Sequence, residues 1–460
     1  MKNLFSFLIT ALLLAAVSCQ QDEFLNEMED SKLTLKSYVK VDDSRWEITH
    51  PDLPWEEWKG MLSLPENWND LPKRYLIFYA HGMVDPDYPI ELPNDLVGGK
   101  PVEQIVKDME MGYATTSYGA NGLVADIAVY DIITLLDEVK QIFTDHNNAA
   151  QPGYLAPPDY YFLGGPSEGG LVTLLTLENA NVDENGENRF DGGLSICGPI
   201  GNFYNQLQYN GDFHVLFNYF FEKELKDRFN LDVGNPEDEV NDITIAAWNN
   251  GDLQSAVTDL MKKYPWKVTQ LLNCAKVKTD MTDQQTMRRT VLECLRFNVK
   301  LTNDVITRLT GTPFNNSRKW YWGSYNDWRL NRYVQRVCPD NYDIIKATVK
   351  DRYETTGEIE IPLVTLHTTG DHITPYWHQT AYRMKVFLNG NSLLYTGIPV
   401  FNYGHCTIEE SHLMAAMAIL IAKTSFNNLF AVDQSLFSNE QSLESFKQIL
   451  KDNAVEVQVN

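Results

Sequence analysis

The sequence predicts an α/β fold, a mostly parallel sheet with helices on both faces and a large helical cap inserted before the strand bearing an acid. Three observations lead there. Continuous apolar runs such as Tyr75-Leu76-Ile77-Phe78-Tyr79-Ala80 alternate with segments of helical period, the pattern of parallel strands buried on both sides by crossover helices. One run, Tyr160-Tyr161-Phe162-Leu163, enters Gly164-Gly165-Pro166-Ser167-Glu168-Gly169-Gly170 and leaves as Leu171-Val172-Thr173-Leu174-Leu175, a strand, a sharp turn and a helix in succession. From about residue 201 to 350 the alternation stops and only helical period remains, until strands resume at Ile361-Pro362-Leu363-Val364-Thr365-Leu366.

Taken in order, residues 1–18 read as an export signal. Lys2 gives the positive start, residues 4–15 the apolar stretch, and Ala16-Val17-Ser18 the small residues before Cys19. The stretch is too short to span a bilayer. Small residues followed by Cys19 resemble the lipobox of bacterial lipoproteins, whose cysteine becomes the lipidated N-terminus, although Ala16 stands where leucine is usual. The run Gln20-Gln21-Asp22-Glu23 resembles signals that carry some Gram-negative lipoproteins to the cell surface. The expectation is an exported chain anchored to the outer membrane through Cys19, with surface display, and with residues 19–50 as tether and N-terminal extension.

Residues 51–200 form the first part of the core. Aromatic anchors at Trp46, Trp55 and Trp58 precede the strands at 75–80 and 113–118. Residues 124–143 carry apolar side chains at three- and four-residue steps, a helix long enough to cross the sheet. Strands at 160–163 and 192–198 follow. Residues 201–350 are the helical cap, with helical stretches at 213–221, 243–266 and 287–308. Its aromatic group Trp320, Tyr321, Trp322, Tyr325 and Trp328 is read either as cap core or as a stacking surface for a sugar or aromatic acyl unit. Residues 351–460 are the second part of the core. A strand at 393–401 leads to a helix opened by a capping box of Thr407 and Glu410, and Ser438 with Gln441 opens the last helix. No internal repeat is present.

With 38 Lys and Arg against 62 Asp and Glu, the net charge of −24 argues against nucleic acid or an anionic bilayer as a partner. With Cys19 lipidated, five cysteines remain: Cys197, Cys274, Cys294, Cys338 and Cys406. Cys274 and Cys294 are candidates to pair in an oxidising compartment. No Cys or His spacing resembles a zinc site, so no metal or cofactor is expected.

The chemistry starts at Ser167. Gly165 and Gly169 stand two positions either side of it, and the following helix aims its first amides at a developing oxyanion. Ser195, in Gly193-Leu194-Ser195-Ile196-Cys197, lacks the closing glycine and the helix and reads as plain strand. A serine needs a base, and the base an orienter. His405 follows the last strand beside Gly404, and Asp371 follows its strand within Gly370-Asp371-His372.

The order Ser167, Asp371, His405 is that of the α/β-hydrolases. The chain resembles that superfamily over roughly residues 71–200 and 362–423, on Ala80-His81-Gly82-Met83, the serine turn, Thr369-Gly370-Asp371-His372-Ile373-Thr374-Pro375 and Gly404-His405-Cys406. The resemblance implies an α/β-hydrolase fold, a Ser-Asp-His triad, and an oxyanion hole from the amides of Met83 and Glu168. His81 then shapes the loop after its strand. Together with Tyr118 and Asn121 it is a candidate for the substrate pocket, and the Glu168 carboxylate is a candidate to bind a substrate amine. The leading expectation is a serine hydrolase of carboxylesterase type, acting on a small or oligomeric ester. Its alternatives are a serine exopeptidase of the same fold and a non-catalytic ligand-binding lipoprotein.

Overall fold

A computed structural model describes residues 38–49, 58–229, 243, 245–425, 431–432, 437, 439–455 and 458–459. The export signal, Cys19, most of the tether and Trp55 lie outside the described residues. Nine strands form the main sheet. They are β1 (Tyr38–Lys40), β2 (Arg45–Thr49), β3 (Lys59–Ser63), β4 (Tyr75–Tyr79), β7 (Gly112–Thr116), β8 (Tyr160–Pro166), β9 (Gly192–Ile196), β10 (Leu363–Gly370) and β11 (Tyr395–Tyr403), with a small pair β5 (Leu96–Val97) and β6 (Lys100–Pro101) between β4 and β7. The order across the sheet is β1-β2-β3-β7-β4-β8-β9-β10-β11. From β7 onward every pairing is parallel, while β1, β2 and β3 add an antiparallel edge. The sheet therefore begins within the segment that the sequence assigns to tether and extension. Trp46 and Ile48 of β2 are buried there.

The apolar runs are continuous because each strand is covered twice. Leu76, Phe78 and Ala80 enter one core with the helix Ala125–Asp145 and the serine-turn helix Glu168–Asn179. Tyr75, Ile77 and Tyr79 enter the opposite core with the helix Glu410–Ser425. This is the period of two that a pleated strand imposes. The fold is the α/β-hydrolase arrangement expected from the sequence.

Between β9 and β10 the chain forms a helical insertion: Phe203–Phe229, Ile245–Asn249, Asp252–Lys263, Pro265–Ala275, Gln284–Leu309, Asp327–Tyr333 and Tyr342–Tyr353. It has its own apolar core, built on Phe213, Phe217, Phe221, Met261, Leu271, Val291 and Leu295, and Ile373 from the loop after β10 joins that core. Cys274 and Cys294, candidates to pair, are both free thiols. They sit on two different helices of the insertion, and Cys294 Sγ instead faces the His372 carbonyl at 3.7 Å.

Two helix starts also differ from expectation. Thr407 does not cap the helix Glu410–Ser425, because its hydroxyl donates to the Tyr403 and Gly404 carbonyls at 2.8 and 3.3 Å and so closes the loop around His405. The last helix, Glu440–Asp452, is capped by Asn439, whose side chain accepts from the Ser442 amide at 2.9 Å. No helix among the described residues is long and apolar enough to cross a membrane.

Candidate active site

Because β8, β9, β10 and β11 are parallel neighbours, their carboxyl ends open on one rim, and three separate loops meet there. Ser167 directly follows β8 with φ 54° and ψ −120°, a conformation that non-glycine residues rarely adopt. Its amide donates to Ile196 O at 2.7 Å, tying the turn to β9. A Cβ at Gly165 would lie 1.8 Å from the Ala80 carbonyl oxygen, and one at Gly169 would lie 1.9 Å from the same atom. Only glycine lets the turn press this closely against the end of β4.

His405 Nε2 lies 2.9 Å from Ser167 Oγ, and His405 Nδ1 lies 2.7 Å from Asp371 Oδ2. The three side chains selected from the sequence thus meet across 238 residues of chain. Asp371 is fully buried, and its other oxygen accepts the Ile373 and Thr374 amides at 2.9 and 2.8 Å, so its carboxylate is held from both sides. Gly404, at φ 107°, turns the β11 loop back so that its amide reaches Gly370 O at 3.2 Å. Burial pushes the His405 imidazolium down, but the charge and hydrogen bond of Asp371 outweigh it and raise its pKa above the ordinary 6.5.

The expected pocket residues turn out to be supports. The His81 ring is buried, bonded through Nδ1 to Gly82 O at 2.7 Å and stacked on Tyr118 at 3.9 Å. Burial holds the His81 pKa below 6.5. Tyr118 is fully buried with its hydroxyl donating to His81 O at 3.2 Å. Asn121 donates to the carbonyls of Tyr88 and Pro89 at 2.7 and 3.2 Å. All three brace the loop that carries Gly82 and the half-buried Met83, and a Cβ at Gly82 would lie 3.5 Å from Ser167 Cβ.

The Glu168 side chain is buried. Its Oε1 accepts the Val124 amide at 2.7 Å, at the start of the helix Ala125–Asp145, and burial raises its pKa to about 8.

Two groups escaped the sequence reading. Cys197, at the end of β9 between the strands of Ser167 and Asp371, lies under the rim with its thiol 3.6 Å from Thr368 Oγ1, while Cys406 Sγ is 3.6 Å from His405 Nε2. The signal was available, since the run ending at Gly198 is the next strand after the serine turn. Cys197, His367 and Asp371 place a sulfur, a ring nitrogen and a carboxylate oxygen within 4.8 Å of one another, all buried. A metal fits poorly there. Asp371 already holds His405 and two amides, and His367 Nε2 faces the Thr374 carbonyl at 2.8 Å, where it must carry a proton.

The second group is one helix of the insertion, Gln284–Leu309, which grips three loops of the rim. Glu293 pairs with His372 of the acid loop at 2.7 Å. One turn on, Arg296 holds both oxygens of Asp85 at 2.9 and 2.8 Å, and the buried Lys300 pairs with Asp87, fixing the loop just after Met83. Asp304 then accepts the Leu123 amide at 2.7 Å and Arg308 donates to Asn121 O. These contacts join residues roughly 80–210 positions apart, so no local pattern reveals them.

No family model and no curated protein matches the sequence. Among solved structures the chain is similar to an acylaminoacyl peptidase of Pyrococcus horikoshii, with 10% identity over 85% of this chain and 42% of that one and a TM-score of 0.37. It is similar also to the rice cell wall degrading esterase LipA of Xanthomonas oryzae, with 10% identity over 83% and 89% and a TM-score of 0.40. A third is an esterase of Aspergillus oryzae, with 11% identity over 79% and 73% and a TM-score of 0.42. The chain spans less than half the length of the peptidase.

Two expected outcomes follow from these environments. The Glu168 pKa rises from the ordinary 4.5 to about 8 on folding, so its contribution is full below 4.5 and is lost as pH climbs through 8, about 5 kcal/mol across that window. Thermal melts of Glu168→Gln and the wild type should therefore diverge in the variant's favour from pH 5 to pH 9; a constant difference rules this out. Lys300→Met strips a buried partner from Asp87 and should cost about 3 kcal/mol by urea unfolding.

Proposed function

We propose that the protein is a serine hydrolase that cleaves carboxylic esters through an acyl-enzyme intermediate. The observation that carries the proposal is the chain of contacts from Ser167 Oγ to His405 Nε2 at 2.9 Å and from His405 Nδ1 to Asp371 at 2.7 Å. Ser167 Oγ attacks the ester carbonyl while His405 Nε2 takes its proton. The carboxylate of Asp371 fixes the tautomer with Nδ1–H and stabilises the imidazolium that forms. The amides of Glu168 and Met83 receive the oxyanion, with the dipole of the helix Glu168–Asn179 behind them. The imidazolium then protonates the leaving alcohol, and His405 activates a water that releases the acid by the same steps in reverse.

An ester is preferred to a peptide because the acid nearest the serine does not serve as an amine reader. The Glu168 carboxyl is buried on Val124 and is neutral up to about pH 8. An exopeptidase would have to read the amine with another group, and Glu293, half-exposed beside His372, is the acid placed for it. Export and lipid attachment at Cys19 complete the proposal: a hydrolase tethered at the outer membrane and displayed toward external substrate.

A fluorophosphonate probe should label the wild type and fail to label Ser167→Ala. Short p-nitrophenyl esters should turn over at least tenfold faster than aminoacyl amides, and comparable amide turnover would reverse the ranking. His405 acts only when neutral and its pKa lies above 6.5, so kcat/KM should rise with pH to an inflection above 6.5. Asp371→Asn should lower kcat by about 10⁴.

A further inference from the structure

Residues 318–336 of the insertion hold a surface that the triad does not use. Three of the four exposed tryptophans among the described residues lie here: Trp320, Trp322 at 61% and Trp328 at 78% exposure. Their rings touch one another, Trp320 to Trp322 at 5.7 Å and Trp320 to Trp328 at 5.0 Å. They are not cap core, as one sequence reading had it; of the aromatic group only Tyr321 is buried. Large exposed aromatic clusters are rare on a surface that only has to dissolve.

The rings are held out by a rigid polar frame. Asp327 Oδ1 accepts the Gly323 and Ser324 amides at 3.1 and 2.9 Å, and Tyr325 N donates to Gln270 Oε1 at 2.7 Å. Asn331 accepts from Tyr321 N and donates to Tyr321 O, both at 2.8 Å, and the Tyr321 hydroxyl donates to Asp212 at 2.7 Å. A surface ordered before its ligand arrives loses little entropy on binding.

The chemistry of the ligand follows from which residues are present. Every large apolar side chain exposed in this segment is Trp or Tyr, while Leu330 and Val334 are buried. Rings with a polar handle suit a ligand that has both flat C–H faces and hydroxyls, whereas hydrocarbon chains would favour aliphatic wedges. Charge narrows it further. The segment holds the cations Arg318, Lys319, Arg329, Arg332 and Arg336 against the single acid Asp327, in a chain of net charge −24; Lys319 pairs with Asp212 and Arg336 donates to backbone carbonyls, which leaves Arg318, Arg329 and Arg332 for a ligand. Arg332 lies one helical turn beyond Trp328 and shares its face. The overall negative charge is screened beyond about 8 Å at physiological salt, so contact-range attraction at this patch decides binding.

We propose that this surface binds an anionic polysaccharide, whose sugar rings stack on Trp320, Trp322 and Trp328 while its carboxylate or sulfate groups pair with Arg318, Arg329 and Arg332. The proposal does not depend on the hydrolase reading, because binding is read without turnover. Native affinity electrophoresis of the full chain in gels containing polygalacturonate, alginate or chondroitin sulfate tests it, with dextran as the neutral control. At least one anionic polymer should retard the wild type and Ser167→Ala alike. Trp322→Ala with Trp328→Ala should weaken that binding at least tenfold, and Arg329→Gln with Arg332→Gln should weaken it and flatten its salt dependence, both leaving p-nitrophenyl ester turnover unchanged. The proposal is overturned by no retardation in any of the three polymers, by equal retardation in dextran, or by variants that bind like the wild type. Co-sedimentation with phosphatidylglycerol vesicles in the absence of polysaccharide binding would assign the patch to a membrane instead and overturn it equally.

Discussion

The rim chemistry depends on one close approach, that of the serine turn to the end of β4. The Ala80 carbonyl stands where a side chain at either Gly165 or Gly169 would have to go. Because both positions are bare, the turn lies flat against the strand end, Ser167 takes its strained backbone conformation, and the helix Glu168–Asn179 starts directly beneath it. The same closeness brings Gly82 beside Ser167, so the loop that carries Met83 is positioned by the contact that lifts the hydroxyl.

Around that contact the supports are arranged in depth. His81 and Tyr118 stack under the Met83 loop, Asn121 and Asp131 hold the neighbouring loop, the latter through the Gly119 amide at 2.9 Å, and Asp371 is locked by two amides before it meets His405. The helix Gln284–Leu309 then binds the acid loop, the Met83 loop and the Asn121 loop to one rigid rod. The insertion is thus continuous with the site it adjoins: Ile373, two residues after the acid, is part of the insertion's own core.

Much of this was legible in the chain. Strands buried on both faces must be continuously apolar, and the serine turn needs small residues at fixed offsets, so residues 75–80 and Gly165 to Gly169 announce themselves. Helix starts were less legible. Thr407 and Glu410 have the spacing of a capping box, yet the hydroxyl closes the preceding loop instead, because a carbonyl three or four residues back competes for the same group. For Glu168, His81, Tyr118 and Asn121, sequence does not say which way a side chain turns, and all four turn inward to backbone partners.

The sequence by itself determined the alternation of strands and helices, the serine turn and the chain order of Ser167, Asp371 and His405, since each is written in local spacing and residue type. Only the tertiary structure decided that Cys197 underlies the rim, that one insertion helix grips three loops, and that the tryptophans of residues 318–336 face solvent. Those facts rest on contacts between segments far apart in the chain and on which face of each element meets a neighbour, and local periodicity carries information about neither.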